Sequence, residues 1–293
     1  MKHAILGAGA IGGLLGTVLS SLGEDVTVVV RPEKLSSYPP MLTLECPSGP
    51  ITAPAKAASE LNEPADALWI ATKTYQLDGA LKEVKASPHH IIPLLNGIDH
   101  ITVLRARFGD DRVLPATIAV EAERAFPGRF IQRSPFVRLN LAARGEPLLG
   151  SLVAALGNQG FTCQWIVNEQ TLLWSKLCFL GPFALVTSAS GLNIGEVLSD
   201  AQWKRKLTSA VGEACAVANA SGAEINPAQI TKAFEGAPPG MRSSMQKDVV
   251  AGRQLELDAI AGPIVSGGEQ FGIDASTTTK LTEDIRRKAK SAA

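Results

Sequence analysis

The sequence has few cysteines, few histidines and no excess of charge of either sign. Lysine plus arginine and aspartate plus glutamate each number 28, so no net charge attracts nucleic acid or an anionic membrane surface. The four cysteines stand far apart in the sequence, with no CxxC pair and no accompanying histidine ligands. Repeats and low-complexity segments are also missing. We therefore expect a cytoplasmic protein with reduced thiols, without a bound metal, and with neither nucleic acid nor membrane as a partner.

One uncharged stretch near the start, from Ala4 to Gly23, could pass for a signal peptide or a membrane span. Its first half is rich in glycine, and a β-branched run that predicts a strand follows directly. These two features favour a βα unit of a soluble domain. The length of 293 residues is enough for two domains.

The glycines form a dinucleotide-binding motif between a predicted strand and a predicted helix. An apolar run from His3 leads into a Gly-Ala-Gly-Ala-Ile-Gly turn, and residues 13–19 can continue as a helix. Gly7 permits the tight turn, Gly9 lets the backbone approach a pyrophosphate, and Gly12 lets the helix pack on the strand. The phosphates would lie at the positive end of the helix. The motif therefore predicts six cofactor-binding residues, Gly7, Ala8, Gly9, Ala10, Ile11 and Gly12.

The end of the second predicted strand indicates which dinucleotide binds. Val26 to Val30 is a β-branched run that ends in Arg31, about 20 residues past the motif, where the adenosine ribose is recognised. An acidic residue there would accept from the 2′-hydroxyl of NAD, whereas Arg31 offers donors suited to the 2′-phosphate of NADP. The alternative is a solvated arginine at a strand end. Motif and spacing together favour NADP.

Two further buried strands are predicted at 67–71 and 90–95, and polar residues follow each. Lys73 comes after the first and Asn96 after the second. Ligands of open α/β sheets bind beyond the carboxyl ends of the strands, where Arg31 also lies. The pattern is typical of a parallel, doubly wound sheet.

The hydrophobic period changes from 2 to 3.6 near residue 167. We expect a Rossmann-type NADP-binding domain at 1–167, followed by an all-helical substrate and catalytic domain at 168–293. The other elements expected in the first domain are a hairpin at 41–44 and 51–53, strands at 113–120, 129–131, 136–142 and 161–166, and a helix at 148–156. Helices are expected in the second domain at 168–190, 200–219, 227–234, 243–271 and 276–289.

These motifs resemble, in order and spacing, those of the ketopantoate reductase (2-dehydropantoate 2-reductase) family over nearly the full chain. Besides the glycine motif and Arg31, the likeness rests on Lys73 with Gln76, Asn96-Gly97, Trp174-Ser175-Lys176-Leu177, Ser243-Ser244-Met245 with Asp248, and Glu256-Leu257-Asp258. The resemblance implies that NADPH reduces a 2-oxo acid to the 2-hydroxy acid.

The resemblance also implies a role for each matching residue. Arg31 and Lys73 would hold the 2′-phosphate, and Asn96 would contact the nicotinamide ribose and the substrate. Ser244 would bind the substrate carboxylate, and Glu256 would hydrogen-bond the substrate and orient the catalytic lysine.

Lys176 would be the general acid, because hydride addition creates an alkoxide that a nearby ammonium group can stabilise and protonate. It lies within an apolar stretch, where burial would lower its pKa towards ambient pH. The alternative for Lys176 is an ordinary lysine on the exposed side of a helix. The alternative for Glu256 is an exposed glutamate paired with Arg253 or a nearby lysine.

Three positions depart from the family pattern. Asparagines are usual four and eight residues after the lysine, on the same helix face, but this chain has Leu180 and Ala184 there. Met241 stands where another asparagine is usual. Arg242 could supply a substitute cation for a carboxylate, although an exposed loop arginine is the simpler interpretation. Gly181-Pro182 predicts a bend or break in the helix.

Three functions are therefore open: a ketopantoate reductase of pantothenate biosynthesis, an NADP-dependent reductase of a less polar 2-oxo acid or ketone, and an NADP(H)-binding protein without turnover. Intact Lys176 and Glu256 count against the third, and the lost asparagines count against the first. The second is preferred. Pairing of two copies through the helical domain would fit the superfamily, but the apolar faces near Trp203 could equally be core.

Overall fold

A computed structural model describes residues 1–291, which form two compact units. The first comprises Met1–Leu95 and His100–Val167, and the second comprises Asn96–Asp99 and the chain from Asn168 onward. The first is an α/β unit and the second is helical, so the predicted fold class is confirmed. The segment Asn96–Asp99 belongs to the helical unit, whereas the predicted boundary at residue 167 assigned it to the first domain.

The first unit is built on a parallel sheet of five strands, numbered here in chain order. The strands are β1 (Lys2–Leu6), β2 (Asp25–Val29), β5 (Lys56–Ala58), β6 (Ala67–Ile70) and β7 (His90–Pro93). Their spatial order is β5-β2-β1-β6-β7, so the direction of winding reverses between β1 and β6. In such a sheet the ligand crevice lies beyond the carboxyl ends of the two strands at the reversal. The glycine turn follows β1, and Thr72-Lys73 follows β6.

The helices of this unit are α1 (Ala10–Ser21), α2 (Pro32–Leu35), α3 (Leu77–Leu81), α4 (His100–Phe108) and α5 (Glu146–Asn158). Short 3-10 helices occupy Thr74–Gln76 and Ala143–Gly145. The uncharged stretch near the start is thus β1 followed by the 12-residue helix α1, most of whose residues are buried in the unit.

Two smaller sheets complete the first unit. The predicted hairpin is present as β3 (Met41–Glu45) and β4 (Ile51–Pro54). It extends, in the order β4-β3-β10-β9, by a second hairpin of β9 (Ala122–Phe126) and β10 (Arg129–Gln132). The third sheet is β12-β11-β8, from β8 (Ala116–Ala119), β11 (Val137–Ala142) and β12 (Phe161–Ile166). Phe130 of β10 packs on α1 so closely that a Cβ on Gly13 would lie 2.0 Å from its ring.

The second unit contains seven described helices around one apolar core. They are α6 (Glu169–Ser190), α7 (Ile194–Ser199), α8 (Ala201–Ala220), α9 (Pro227–Glu235), α10 (Ser244–Val250), α11 (Leu257–Phe271) and α12 (Ser276–Ser291). Of the described helices, α6 alone is long and apolar enough to cross a membrane by length and composition. Its apolar window is 78% buried inside the protein, which accounts for its composition.

Two helix predictions need correction. The single helix expected at 243–271 is two helices, because the chain leaves helical geometry after α10, with Gly252 at a φ of 61°, and resumes at Leu257. Only glycine adopts that backbone conformation readily. For Gly181-Pro182, where a bend or a break was expected, there is no break, because α6 is continuous from Glu169 to Ser190. Pro182 removes one backbone donor, and both Gly181 and Pro182 are buried.

Candidate active site

Contacts within the protein require glycine at two of the three key positions of the glycine turn. Gly7 has a φ of 106°, and a Cβ there would lie 2.9 Å from the backbone of Ala71. A Cβ on Gly12 would lie 2.0 Å from the carbonyl oxygen of Gly7. Gly9 is different, because its nearest neighbour would be the Ala71 oxygen at 3.9 Å and its φ is an ordinary −79°. Packing within the protein therefore does not require glycine at position 9, and the space beside it is open to a ligand.

The helix that follows is open to an anion at its start. Gly9 is the N-cap of α1 and provides no side-chain acceptor, and the first turn contains no acidic residue. The first backbone N–H groups of a helix lack partners within the helix and carry its positive dipole end. The residues at this turn therefore fit the phosphates of a dinucleotide.

The two cations expected at the adenosine end lie in the same unit, after the two strands that flank β1. Arg31 follows β2 at the N-cap position of α2, is exposed, and has no carboxylate partner among residues 1–291. Lys73 follows β6 as the N-cap of a 3-10 helix and is partly buried. A guanidinium without a carboxylate partner at the end of β2 suits a 2′-phosphate, because its fork of N–H donors matches the spacing of phosphate oxygens.

The second unit brings Asn96 and Glu256 together. The Asn96 side-chain Nδ2 donates to Glu256 Oε2 at 3.1 Å. The next residue makes the approach possible, because Gly97 has a φ of 78° and a Cβ there would lie 2.3 Å from the Ala259 oxygen. Glu256 itself stands at the N-cap position of α11, immediately after the break that the sequence analysis missed. Gly252 was the available signal for that break.

Glu256 is buried, with 5% of its surface exposed, so the interpretation of an exposed, paired glutamate is wrong. Arg253, the partner considered for it, instead donates from Nε to Asp248 Oδ1 at 2.7 Å. A buried carboxylate needs partners, and Asn96 supplies one of them.

Lys176 on α6 lies in a strongly desolvated environment. Desolvation lowers its pKa from 10.5 to about 8, and the negative charge of Glu256 acts in the opposite direction. An ordinary exposed helix lysine would not be desolvated in this way. The second unit thus contains a lysine whose pKa is lowered to about 8 and a buried carboxylate that an amide holds by a hydrogen bond. The ammonium group of such a lysine can donate a proton.

The double serine divides into two different environments. Ser243 is buried as the N-cap of α10, where its Oγ accepts from the Gln246 amide at 3.1 Å and lies 2.8 Å from Thr187 Oγ1. Ser244 is exposed. Ser243 therefore holds local structure, whereas the hydroxyl of Ser244 is accessible.

The three apolar residues that depart from the family pattern also lie in apolar surroundings. Ala184 has no exposed surface and belongs to the helical core. Leu180 and Met241 are partly buried and pack against that core. Arg242 is exposed, with no carboxylate partner among residues 1–291. The face of α6 that carries Lys176 continues without polar groups at Leu180 and Ala184.

Comparison with known proteins gives matches across both units. The sequence model of the ketopantoate reductase PanE/ApbA family matches residues 3–144, and the model of its C-terminal part matches residues 168–289. A 2-dehydropantoate 2-reductase of Caulobacter vibrioides is 30% identical over 282 residues, covering 92% of this chain and 93% of the relative.

Solved structures show the same fold. D-mandelate dehydrogenase with NADH and anilino(oxo)acetate superposes with a TM-score of 0.88 at 21% identity, covering 99% of both chains. A PanE/ApbA family ketopantoate reductase from Ralstonia eutropha JMP134 gives a TM-score of 0.86 at 23% identity, again covering 99% of both chains.

Proposed function

The chain belongs to the ketopantoate reductase family, and from this premise we propose that it reduces a 2-oxo acid to the 2-hydroxy acid with NADPH. The observation that carries the proposal is the group of Lys176, Glu256 and Asn96 in the helical unit. A desolvated lysine beside a buried carboxylate is typical of proton transfer and rare on an ordinary helix surface.

We propose NADPH as the cofactor and Arg31 with Lys73 as the cations for its 2′-phosphate. The support is the exposed guanidinium at the end of β2, which no described carboxylate neutralises. Bound at the glycine turn, the cofactor supplies the hydride. Ala8, Ala10 and Ile11 would contribute backbone contacts there, and Asn96 would contact the nicotinamide ribose and the substrate.

Lys176 donates the proton in this proposal. With a pKa of about 8, it is mostly protonated at neutral pH yet acidic enough to give its proton to a developing alkoxide. The charge of Glu256 keeps the lysine protonated, and its carboxylate also accepts from the substrate. Asn96 holds that carboxylate in place through the 3.1 Å hydrogen bond.

For the substrate we propose a 2-oxo acid less polar than ketopantoate. Ser244 would bind the carboxylate, as its exposed hydroxyl allows. Leu180 and Met241 offer no hydrogen bond to a substrate hydroxyl, and Ala184 is core. Loss of such bonds can change discrimination by orders of magnitude. Cytoplasmic location and pairing of two copies through the helical unit stay predictions, the latter measurable by light scattering.

The test follows NADPH oxidation with ketopantoate and with 2-oxo acids whose side chains are alkyl or aryl, beside a direct titration of NADPH binding. We expect turnover of the apolar acids with a higher kcat/KM than that of ketopantoate. Ketopantoate reduced at least as well would contradict the proposed preference. NADPH binding without turnover of any acid would instead favour a binding protein of the same fold.

A further inference from the structure

The hairpin of β9 and β10, together with the residue that follows it, carries three exposed arginines that differ in how their charge is balanced. Arg129 pairs with Glu45, and Arg133 pairs with Glu123. Arg124 has no carboxylate partner among the described residues. Its Nη1 donates instead to the backbone oxygen of Ala8 at 3.2 Å.

That contact places the guanidinium directly at the motif. Ala8 lies between Gly7 and Gly9, immediately before α1 begins. A cation at the positive end of a helix dipole is unfavourable unless an anion lies between them. Close by, Tyr38 contributes no negative charge, since burial raises its pKa to about 12 against the opposing charge of Arg124.

Only one nitrogen of the Arg124 guanidinium donates a hydrogen bond to Ala8. The geometry of its remaining N–H groups suits phosphate oxygens. We propose that Arg124 is a further cofactor-binding residue, which contacts the pyrophosphate together with the amides of α1. This proposal rests on the proposed use of a dinucleotide. The glycine pattern does not reveal Arg124, because it lies 116 residues from Ala8 in the sequence.

The pyrophosphate is common to NADPH and NADH, which distinguishes Arg124 from Arg31. A charge-assisted hydrogen bond to phosphate corresponds to roughly a ten- to hundredfold change in Kd. For Arg124→Ala we expect the Kd of both dinucleotides to rise by the same factor in that range. The Kd of adenosine 2′-monophosphate, which has no pyrophosphate, is expected to stay unchanged.

The experiment is a calorimetric titration of the full-length protein with each of the three ligands. Arg129→Ala is the matched control, because it removes an exposed arginine of the same hairpin whose charge is already balanced. Arg124→Lys is expected to recover part of the affinity, since it restores the charge but not the fork. Thermal midpoints verify that the variants fold.

Unchanged dinucleotide affinity in Arg124→Ala would overturn the assignment. A loss confined to NADPH, or shared by adenosine 2′-monophosphate, would also overturn it, because Arg124 would then serve the 2′-phosphate. If wild-type protein bound neither dinucleotide, the proposed function itself would fall together with this inference. The wild-type titration therefore distinguishes failure of the proposed function from failure of the Arg124 assignment alone.

Discussion

The amide of Asn96 donates to the carboxylate of Glu256 at 3.1 Å across 160 residues of sequence. The bond joins a short loop after β7 to the N-cap residue of helix α11. It orients a buried carboxylate whose charge acts on Lys176. The Glu256 charge raises the pKa of Lys176 and so opposes the larger effect of desolvation.

The first prediction concerns the pH dependence of reduction. Because Lys176 must be protonated to donate in this proposal, we expect kcat/KM, which reports the free enzyme, to fall as the pH rises through about 8. Lys176→Met should lower kcat by roughly 10²- to 10⁴-fold while NADPH binding persists. Full activity in this variant would remove Lys176 from the proposed role.

Glu256→Gln tests the coupling between the two groups. The carboxylate raises the pKa of Lys176, so its removal is expected to move the alkaline limb of the pH profile to lower pH. Asp258→Asn is the control, because Asp258 is exposed and paired with Arg286. An unmoved limb in Glu256→Gln would show that the two groups are not coupled.

For Arg31→Ala we expect NADPH affinity to fall by about ten- to hundredfold and NADH affinity to change little, because only NADPH carries the 2′-phosphate. Fluorescence titrations with both reduced dinucleotides measure the two dissociation constants. Stability should be unaffected, since Arg31 is exposed and has no carboxylate partner among residues 1–291. Equal weakening of both dinucleotides would contradict the assignment.

Two glycine variants are expected to separate folding from cofactor binding. In Gly12→Ala the new Cβ meets the Gly7 oxygen at 2.0 Å, so the thermal midpoint should fall markedly, by an overpacking cost of about 1–3 kcal/mol or more. Gly9→Ala meets no protein atom closer than 3.9 Å and should unfold like the wild type. Its NADPH affinity should nevertheless be largely lost. Normal binding by Gly9→Ala would exclude close approach of a phosphate there.

The two adjacent serines are predicted to respond oppositely. Ser243→Ala removes a helix cap and a buried hydrogen bond to Thr187, which should cost about 1–2 kcal/mol of unfolding free energy. Its KM should change little. Ser244→Ala should leave the unfolding free energy within about 0.5 kcal/mol and raise the KM of the 2-oxo acid. Urea unfolding and steady-state kinetics on both variants check this.

Acid should destabilise the first unit through His3. Trp69 Nε1 donates to His3 Nδ1 at 3.1 Å inside the unit, and burial lowers the pKa of His3 below 6.5. Below pH 6.5, His3 is therefore protonated more readily in the unfolded chain than in the folded chain. The contribution of neutral His3 to the free energy of unfolding is complete above pH 6.5. It is lost as the pH falls from 6.5 through the lowered pKa of the folded state.

The measurement compares thermal unfolding of wild type and His3→Gln between pH 5 and 8. The variant should lose less stability on acidification than the wild type. His89→Gln, which changes an exposed histidine, should follow the wild-type profile. Identical slopes for wild type and His3→Gln would exclude His3 as the source.

Local pattern was enough to predict most of the architecture. The glycine turn and the β-branched runs that end in polar residues are both recognised within a few residues of sequence. Family resemblance added the roles proposed for Lys176 and Glu256. The helix break after Val250 was missed because the apolar period continues through it.

The sequence by itself determined the parallel α/β unit, the helical unit, the dinucleotide turn and the family. Only the tertiary structure decided that Glu256 is buried against Asn96, that Ser243 is structural, and that Arg124 reaches Ala8. Strands and helices follow from short-range periodicity. Burial, charge balance and long-range hydrogen bonds depend on which distant segments meet, and no local pattern encodes that.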